Sequence, residues 1–200
     1  YVTQELNIGG GFGIRYTDDD DKKPYAYFLD PMMKRIEEFS KDMNIKRPEI
    51  VIEPGRSIVG EAGITLYTIG TIKDIKGIRK YVSVDGGMTD NIRPALYQAK
   101  YESVIANKAA QPSNDLVTIS GKCCESGDIL IRDAYMPLAE RGDILAVFST
   151  GAYGYAMASN YNKNPFPATV LVKEGSSEVI VKRQKYEHMI ANEVIPESLI

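Results

Sequence analysis

The sequence predicts an α/β segment over residues 1–63, followed by an all-β domain over residues 64–200. In the first part, apolar runs alternate with a helical pattern and with glycine-containing loops. In the second part, short runs rich in valine, isoleucine and tyrosine follow one another, with turn residues between them and no long helical pattern. We therefore expect a β-sandwich or β-barrel for the second part.

The α/β segment is predicted to begin with a buried strand that ends at "ELNI", residues 5–8. The glycine loop "GGGFG", residues 9–13, follows directly. A helix is expected next, with Asp30 as its N-cap and Pro31 as its first residue, and it should end before Pro48. Its apolar residues recur at helical spacing and are expected to pack in the core: Met32, Met33, Ile36, Phe39 and Met43.

A second strand is predicted over residues 50–52, and the loop "EPGR", residues 53–56, follows it. A strand, a helix and another strand in this order predict two parallel strands whose loops lie at one edge. In β/α barrels the functional loops lie at the carboxyl ends of the strands. Functional residues are therefore expected in the loops that follow these two strands.

The β domain is predicted from seven apolar runs that are separated by turn residues. A hairpin loop is expected at residues 173–178, and short helical stretches are expected near residues 93–100 and 183–191. The runs are "ITLYTIGTIKDI", "KYVSVDGG", "DLVTISGKCC", "DILIRDAYM", "DILAVFSTGAYG", "TVLVKE" and "SEVIVKR".

Composition narrows the functional class. The chain has 200 residues with a net charge of −3, so a basic face for nucleic acid is not expected. Its apolar runs are too short to span a membrane, and no signal-peptide pattern is present. The only two cysteines are adjacent, which favours a reduced, cytoplasmic protein. A metal site is not expected, because His188 is the single histidine.

The residues in the two loops of the α/β segment are typical of sites that bind an anion and a cofactor. The backbone N–H groups of Gly9, Gly10 and Gly11 could converge on a phosphate, although a tight turn also explains three glycines. Arg56 suits a phosphate or a carboxylate. Glu53 could keep a cationic ring nitrogen protonated, as in a pyridoxal phosphate site. An internal pair between these two charged residues is the alternative.

Three loops of the β domain also carry chemistry-bearing residues. Arg93 and Tyr97 are four positions apart in "DGGMTDNIRPALY" and could grip a carboxylate, or they could form an exposed pair. In "CCESGD" the thiol of Cys124 could transfer a proton and Glu125 could orient an ammonium group, or the two cysteines could simply pack. Tyr153 in "STGAYGYAM" could bind an anion or fill space.

Five of these segments, in their order and approximate spacing, resemble the diaminopimelate decarboxylases within the pyridoxal-phosphate-dependent ornithine, diaminopimelate and arginine decarboxylase family. The resemblance extends from about residue 5 to the C-terminus. The segments are "NIGGGFGIRY", "EPGRSIVGEAG", "SVDGGMTDNIRPALY", "CESGD" and "GAYGYAMASNYN". The third and fourth point to diaminopimelate as substrate.

The resemblance implies a role for each candidate residue. Cys124 would be the general acid that returns a proton to the α-carbon after loss of CO2, and Cys123 receives no role. The cofactor-binding residues would be Gly9, Gly10, Gly11, Glu53, Pro54, Gly55, Arg56 and Tyr153. The substrate-binding residues would be Arg56, Arg93, Tyr97, Glu125 and Tyr153.

The resemblance also implies a homodimer in which "CCESGD" reaches the partner's site. The family's Schiff-base lysine lies upstream of the glycine loop, so the chain is expected to be the C-terminal portion of a longer enzyme and inactive alone. Residues 1–63 would then be the C-terminal part of a β/α barrel, and residues 64–200 the whole β domain. Two alternatives stay open: a decarboxylase of another basic amino acid or a carboxylated polyamine, and a non-catalytic cofactor-binding relative. Arg93 with Tyr97 disfavours the first, and Cys124 with Glu125 disfavours the second.

Overall fold

The α/β segment contains one parallel strand pair joined by a helix. The structure, a computed structural model, describes residues 3–200, so residues 1 and 2 of the predicted segment lie outside the described residues. Strands β1 (Glu5–Asn7) and β2 (Glu49–Val51) pair in parallel, and helix α1 (Tyr25–Asp42) connects them. The predicted parallel arrangement is confirmed.

Helix α1 begins earlier than the sequence suggests. Its first residue is Tyr25, so the prediction that Asp30 caps it is wrong, and Pro31 lies inside the helix. The reason is tertiary packing. The Phe12 ring contacts Tyr25 and Phe28 edge-on, at centroid distances of 4.9 and 5.9 Å. These contacts stabilise an extra N-terminal turn that outweighs the single hydrogen bond lost at the proline.

The apolar stripe of α1 and strand β1 are on the surface of the described chain. Met32, Phe39 and Met43 are 44, 50 and 59 % exposed, and Leu6 is 38 % exposed. The predictions of a core stripe and of a buried first strand are therefore wrong for residues 3–200. Among the described residues, the cluster of buried apolar side chains lies in the second part and includes no residue of α1.

The second part is a six-stranded mixed sheet that curves into a nearly closed barrel, in the order β5-β8-β3-β4-β6-β7. The predicted runs are confirmed as strands, whereas the three-residue strand β5 was not predicted, because so short a run gives no alternating pattern. The strands are β3 (Thr65–Ile75), β4 (Arg79–Val84), β5 (Ser103–Ile105), β6 (Asp115–Ser120), β7 (Ile129–Met136) and β8 (Ile144–Val147).

Strand β3 shapes this sheet because its two halves pair with different strands. Residues 65–68 pair with β8, and residues 69–75 pair with β4 after a register shift between Ile69 and Ile72. Such an irregularity bends a strand and increases its twist. The curved sheet encloses the core: Tyr67, Ile69, Val82, Val84, Tyr101, Ile105, Val117, Ile119, Leu130, Met136, Ala139, Leu145 and Val147.

Three loops leave this sheet at one edge. Strands β4 and β8 both run antiparallel to β3, and β6 runs parallel to β4, so all three share a direction. Their carboxyl ends therefore lie at the same edge of the sheet. The loops that follow them begin at Asp85, Gly121 and Phe148 and carry the candidate residues of the β domain.

The remaining elements are short. Helices α2 (Arg56–Val59), α3 (Arg93–Tyr97) and α4 (Tyr186–Ile190) agree with the predicted loop and helical stretches. Strands β9 (Thr169–Lys173) and β10 (Ser176–Val181) form the predicted hairpin, which turns at Glu174 and Gly175. Both turn residues have positive φ, 51° and 79°, as a two-residue type I′ turn requires. Across residues 3–200, no helix combines the length and apolarity needed to cross a bilayer.

Candidate active site

The glycine loop and the EPGR loop lie side by side. The pairing of β1 with β2 continues beyond the strands: Ile8 N–H donates to the Val51 carbonyl at 3.0 Å, and Glu53 N–H donates to the Gly9 carbonyl at 2.8 Å. A Cβ on Gly10 would collide with the Glu53 carbonyl oxygen. Glycine is therefore required at position 10 by the close approach of the two backbones.

The glycine loop has the backbone shape of an anion site. φ is +74° at Gly9 and +88° at Gly11, but it is not positive at Gly10. Alternation of this kind can turn successive N–H groups toward one side. The Gly9 N–H already donates to Asn7 Oδ1, so within residues 3–200 the N–H groups of Gly10 and Gly11 are the ones available to an anion. A Cβ added at Gly9 or Gly11 would meet nothing within 4 Å, so the loop borders open space.

Asn7, which the sequence analysis did not select, holds the two loops together. Its side-chain amide donates to Glu53 Oε1 at 2.6 Å, and its carbonyl oxygen accepts the Gly9 N–H at 2.8 Å. The alternative of an internal pair between Glu53 and Arg56 is not what the structure shows, since the carboxylate bonds to this amide instead. Only the parallel register, which places Asn7 opposite Val51, reveals this role.

Arg56 and Tyr153 meet although 97 positions separate them in the sequence. The guanidinium carbon of Arg56 lies 5.5 Å from the centre of the Tyr153 ring. The Tyr153 hydroxyl is also 3.9 Å from the place where a Cβ on Gly55 would lie. Arg56 Nε is buried and has no hydrogen-bond partner within residues 3–200. A buried N–H donor without a partner is costly, so this atom is suited to an anionic ligand.

Arg93 is held by two tyrosines that the sequence analysis did not select. Its side chain is buried, and Nη1 donates to the hydroxyl oxygens of Tyr16 and Tyr101 at 2.6 and 2.9 Å. Burial raises the pKa of Tyr101, although the nearby Arg93 opposes this shift, so the hydroxyl stays neutral. The predicted neighbour Tyr97 lies 6.0 Å from the guanidinium. These neutral partners orient Arg93 without cancelling its charge.

The adjacent cysteines occupy different environments. Cys124 is exposed, and its backbone N–H donates to Asn162 Oδ1 at 2.8 Å. Cys123 is half-buried, and its Sγ accepts from Asn164 Nδ2 at 3.7 Å. Burial and the nearby Asp128 carboxylate raise the pKa of the Cys123 thiol to about 11. Of the two, Cys124 is the more exposed to solvent.

The candidate residues therefore form three groups in this chain. Glu53 adjoins the glycine loop, Arg56 adjoins Tyr153, and Arg93 adjoins Tyr97. Glu125 is exposed, and within residues 3–200 its carboxylate accepts one hydrogen bond, from the Gly127 N–H at 3.3 Å. For the residues that the structure describes, no hydrogen bond joins Cys124 or Glu125 to Glu53, Arg56 or Arg93.

A separate cleft lies elsewhere in the β domain. About 890 Å³ of space separates β7 from the segment that contains α3 and β5, and Tyr101, Gly127 and Tyr135 are among its lining residues. None of the candidate site residues lines it, so the site is an open sheet edge rather than this cleft. No group of three or more histidine, cysteine, aspartate or glutamate side chains that could hold a metal occurs within residues 3–200.

Comparison with known families agrees with this geometry. The family model described as "pyridoxal-dependent decarboxylase, C-terminal sheet domain" matches residues 2–151. The chain belongs to the pyridoxal-dependent decarboxylase family. The matched range includes all but one of the candidate residues, and the exception, Tyr153, lies two positions beyond it.

Curated relatives within the pyridoxal-dependent decarboxylases are similar over nearly the whole chain. Diaminopimelate decarboxylase of Bacillus methanolicus is 55 % identical over 92 % of the chain, and that of Bacillus subtilis is 53 % identical over 95 %. A crystal structure of diaminopimelate decarboxylase from M. jannaschii in complex with L-lysine is 35 % identical over 98 % of the chain, with a TM-score of 0.89. The chain spans 43–44 % of the length of these three proteins.

We predict that the two thiols of this pyridoxal-dependent decarboxylase chain differ strongly in reactivity. The thiolate is the nucleophile in alkylation, and a pKa of about 11 leaves Cys123 roughly one part in a thousand ionised at pH 8. Iodoacetamide at pH 8 should therefore modify Cys124 and spare Cys123. Between pH 8 and pH 10 the Cys123 rate should rise by about tenfold per pH unit.

Mass spectrometry of the tryptic peptides, on the single-cysteine variants Cys124→Ser and Cys123→Ser, measures both rates separately. Since each variant keeps one thiol in its own environment, they serve as controls for each other. Equal alkylation rates of the two variants at pH 8 would contradict the prediction.

Proposed function

We propose that this chain is part of a pyridoxal-phosphate-dependent enzyme that decarboxylates meso-2,6-diaminopimelate to L-lysine and CO2. Identity above 50 % to diaminopimelate decarboxylases over more than nine-tenths of the chain supports the substrate. The observation that carries the proposal is the contact between the glycine loop and Glu53, at the carboxyl ends of two parallel strands. Residues 1–63 would contribute to a β/α barrel, and residues 64–200 would form the β domain.

The residues present fit the cofactor. The alternating φ values of Gly9 and Gly11 and the open space beside them suit a phosphate group, with Pro54 and Gly55 completing the neighbouring loop. The buried Nε of Arg56 lacks a partner among residues 3–200, as expected of a ligand-binding donor. Tyr153 would contact both cofactor and substrate.

Pyridoxal phosphate, when bound, supplies a ring that accepts the electron pair left on the α-carbon when the bond to CO2 breaks. Glu53 would keep a proton on the pyridine nitrogen through its carboxylate. Asn7 donates to one oxygen of that carboxylate, at 2.6 Å to Oε1, and so fixes its orientation. The other carboxylate oxygen, Oε2, would accept from the nitrogen.

The substrate has two carboxylates and two ammonium groups, and the charged candidates match them. Arg93 would bind the distal carboxylate, which is not lost, because its tyrosine partners leave its positive charge uncancelled. Tyr97 beside it would donate a hydroxyl hydrogen bond, and Arg56 would add a second positive charge. Glu125 would pair with the distal ammonium.

Cys124 would complete the reaction by moving a proton. After CO2 leaves, the electron pair on the α-carbon takes the proton of the Cys124 Sγ–H, and solvent returns a proton to the thiolate. An exposed thiol at the tip of a loop can approach a reacting carbon outside its own chain. The neighbouring Cys123 is unsuited to this role, because its thiol is half-buried and its pKa is raised.

We also propose a homodimer whose sites are shared between subunits. Cys124 and Glu125 are exposed, and within residues 3–200 they hydrogen-bond to Asn162 and Gly127 rather than to the cofactor-side residues. A second copy would bring its Glu53 and Arg56 to them. The unpaired thiols of both cysteines support a reducing, cytoplasmic location.

We predict that Gly10→Ala weakens pyridoxal phosphate binding to the full-length enzyme by about tenfold or more. The added Cβ collides with the Glu53 carbonyl oxygen, so it must separate the phosphate loop from the EPGR loop. Gly13→Ala is the matched control, because φ is not positive there and a Cβ meets nothing within 4 Å. An absorbance titration with the cofactor compares the two; equal affinities would remove the phosphate role from this loop.

We predict that Arg93→Lys lowers kcat/KM for diaminopimelate by more than about tenfold, because the fork that holds a carboxylate is lost. The matched control is Arg79→Lys on β4, since Arg79 Nη1 also has two partners, Thr118 and Asp133. Initial rates of CO2 release from the full-length enzyme measure both.

A substrate panel of diaminopimelate, ornithine, arginine and a carboxylated polyamine tests the alternative substrates. Activity on another member of the panel, with none on diaminopimelate, would reject the proposed substrate.

We predict that two inactive full-length variants restore activity when mixed. One lacks the Schiff-base lysine and the other carries Cys124→Ala, so in a two-fold hybrid one site has both defects and the other has neither. Random exchange makes about half the dimers hybrid, and about a quarter of wild-type sites should return. Cys124→Ala mixed with itself is the control. No recovery, with hybrids verified by native mass spectrometry, would rule out a shared site.

A further inference from the structure

Asp128 lies behind the loop that carries Cys124 and Glu125, and it bonds to two loops at once. Its side chain is 3 % exposed. Oδ2 accepts the backbone N–H of Cys123 at 2.8 Å, and Oδ1 accepts that of Met88 at 2.7 Å. Cys123 belongs to the loop after β6, and Met88 belongs to the loop after β4 that leads into Arg93. One carboxylate therefore links the two loops.

Two glycines leave room for this carboxylate. A Cβ on Gly87 or on Gly121 would overlap the carboxylate atoms of Asp128. The Gly121 N–H also donates to the Asp128 backbone carbonyl at 2.9 Å, which closes the base of the loop. The space is shaped for an aspartate, because the longer side chain of glutamate would push its carboxylate into one of these two backbones.

The loop to which Asp128 binds is itself fixed to the sheet. Asp90 accepts from the Tyr67 hydroxyl at 2.5 Å and from the Gly87 N–H at 3.0 Å. Asp85 accepts the Thr68 N–H at 2.8 Å. Tyr67 and Thr68 belong to β3, so the loop after β4 is anchored to the longest strand of the barrel. Because Asp128 bonds to both loops, the cysteine loop is fixed to the sheet through the loop after β4.

We propose that Asp128 is a positioning residue for Cys124 and Glu125, acting through the backbone N–H of Cys123, the residue just before Cys124. The role rests on the proposed function, in which Cys124 and Glu125 contact substrate. Asp128 itself is enclosed by backbone and reaches the reaction only through the loop. Its position at the end of "CCESGD" then has a physical reason.

Both oxygens of the side chain must be acceptors for this role. Asparagine has the same shape, but it would point an NH2 group at one of the two backbone N–H groups, so one link must break. Removing the charge also acts on Cys123, whose pKa is raised by burial and then by Asp128. Asp128→Asn should therefore loosen the loop and make Cys123 more reactive.

The test uses Asp128→Asn in the full-length enzyme. Asp115→Asn is the matched control. It removes a carboxylate contact to Lys80 at the start of β6, and the cysteine loop follows the other end of that strand. We expect kcat/KM for diaminopimelate to fall by about tenfold to a hundredfold in Asp128→Asn and to stay within about twofold in the control. In the proposed function Glu125 binds the substrate and Cys124 donates a proton to it. KM should therefore rise and kcat should fall.

Amide hydrogen exchange gives a readout that needs no substrate. The N–H groups of Met88 and Cys123 should be protected in the wild-type protein, although both lie in loops, and one of them should exchange faster by at least about tenfold in Asp128→Asn. Iodoacetamide at pH 8 should also modify Cys123 in this variant faster than in the wild type. Loss of a residue that only stabilises the barrel would instead speed exchange of amides throughout the barrel strands, not of Met88 or Cys123 alone.

Gly121→Ala provides a second route, since its Cβ displaces the carboxylate without removing the charge. It should reproduce the faster exchange and the loss of activity even if Asp128→Asn folds poorly. Unprotected Met88 and Cys123 amides in the wild type would overturn the proposal. So would wild-type kcat/KM in a variant whose exchange has changed. A wild-type enzyme inactive on diaminopimelate would instead overturn the proposed function, and the exchange result would still test the link.

Discussion

The site depends on the pairing of β3 with two strands that share a direction. Because β4 and β8 both run antiparallel to β3, and β6 runs parallel to β4, three loops must leave the barrel at the same edge. The EPGR loop reaches this edge as well, since helix α2 comes just before β3. Backbone hydrogen bonding thus brings the loops that carry Arg56, Arg93 and Tyr153 to one edge of the sheet, although these residues are far apart in the sequence.

The strands, the loops and the chemistry-bearing residues could be predicted because each gives a recognisable pattern within a few neighbouring residues of the sequence. Alternating apolar residues mark strands, and turn residues mark their ends. The start of α1 could not be predicted, because contacts from Phe12 decide it. Tyr16, Tyr101 and Asp128 could not be selected either. Their roles depend on partners up to 77 positions away, and a tyrosine or aspartate alone gives no signal of such a partner.

The adjacent cysteines show how far environment separates identical side chains. Cys123 is drawn toward the barrel by the Asp128 link and by Asn164, and burial keeps its thiol protonated. Cys124 points to solvent from the same backbone. Burial is the larger cause of the raised pKa of Cys123, and the Asp128 carboxylate adds to it. The pair therefore offers one reactive thiol rather than a dithiol.

Arg56 and Arg93 differ from Arg79 of the same chain in the groups that surround their guanidinium. Arg79 lies 3.0 Å from the Asp133 carboxylate, which offsets its charge. Arg93 is more deeply buried, yet its partners are two neutral hydroxyls, and Arg56 leaves Nε without a partner among residues 3–200. Holding a buried cation without a counter-ion costs stability. A bound anion would offset this cost, which agrees with the ligand-binding role proposed for these two arginines.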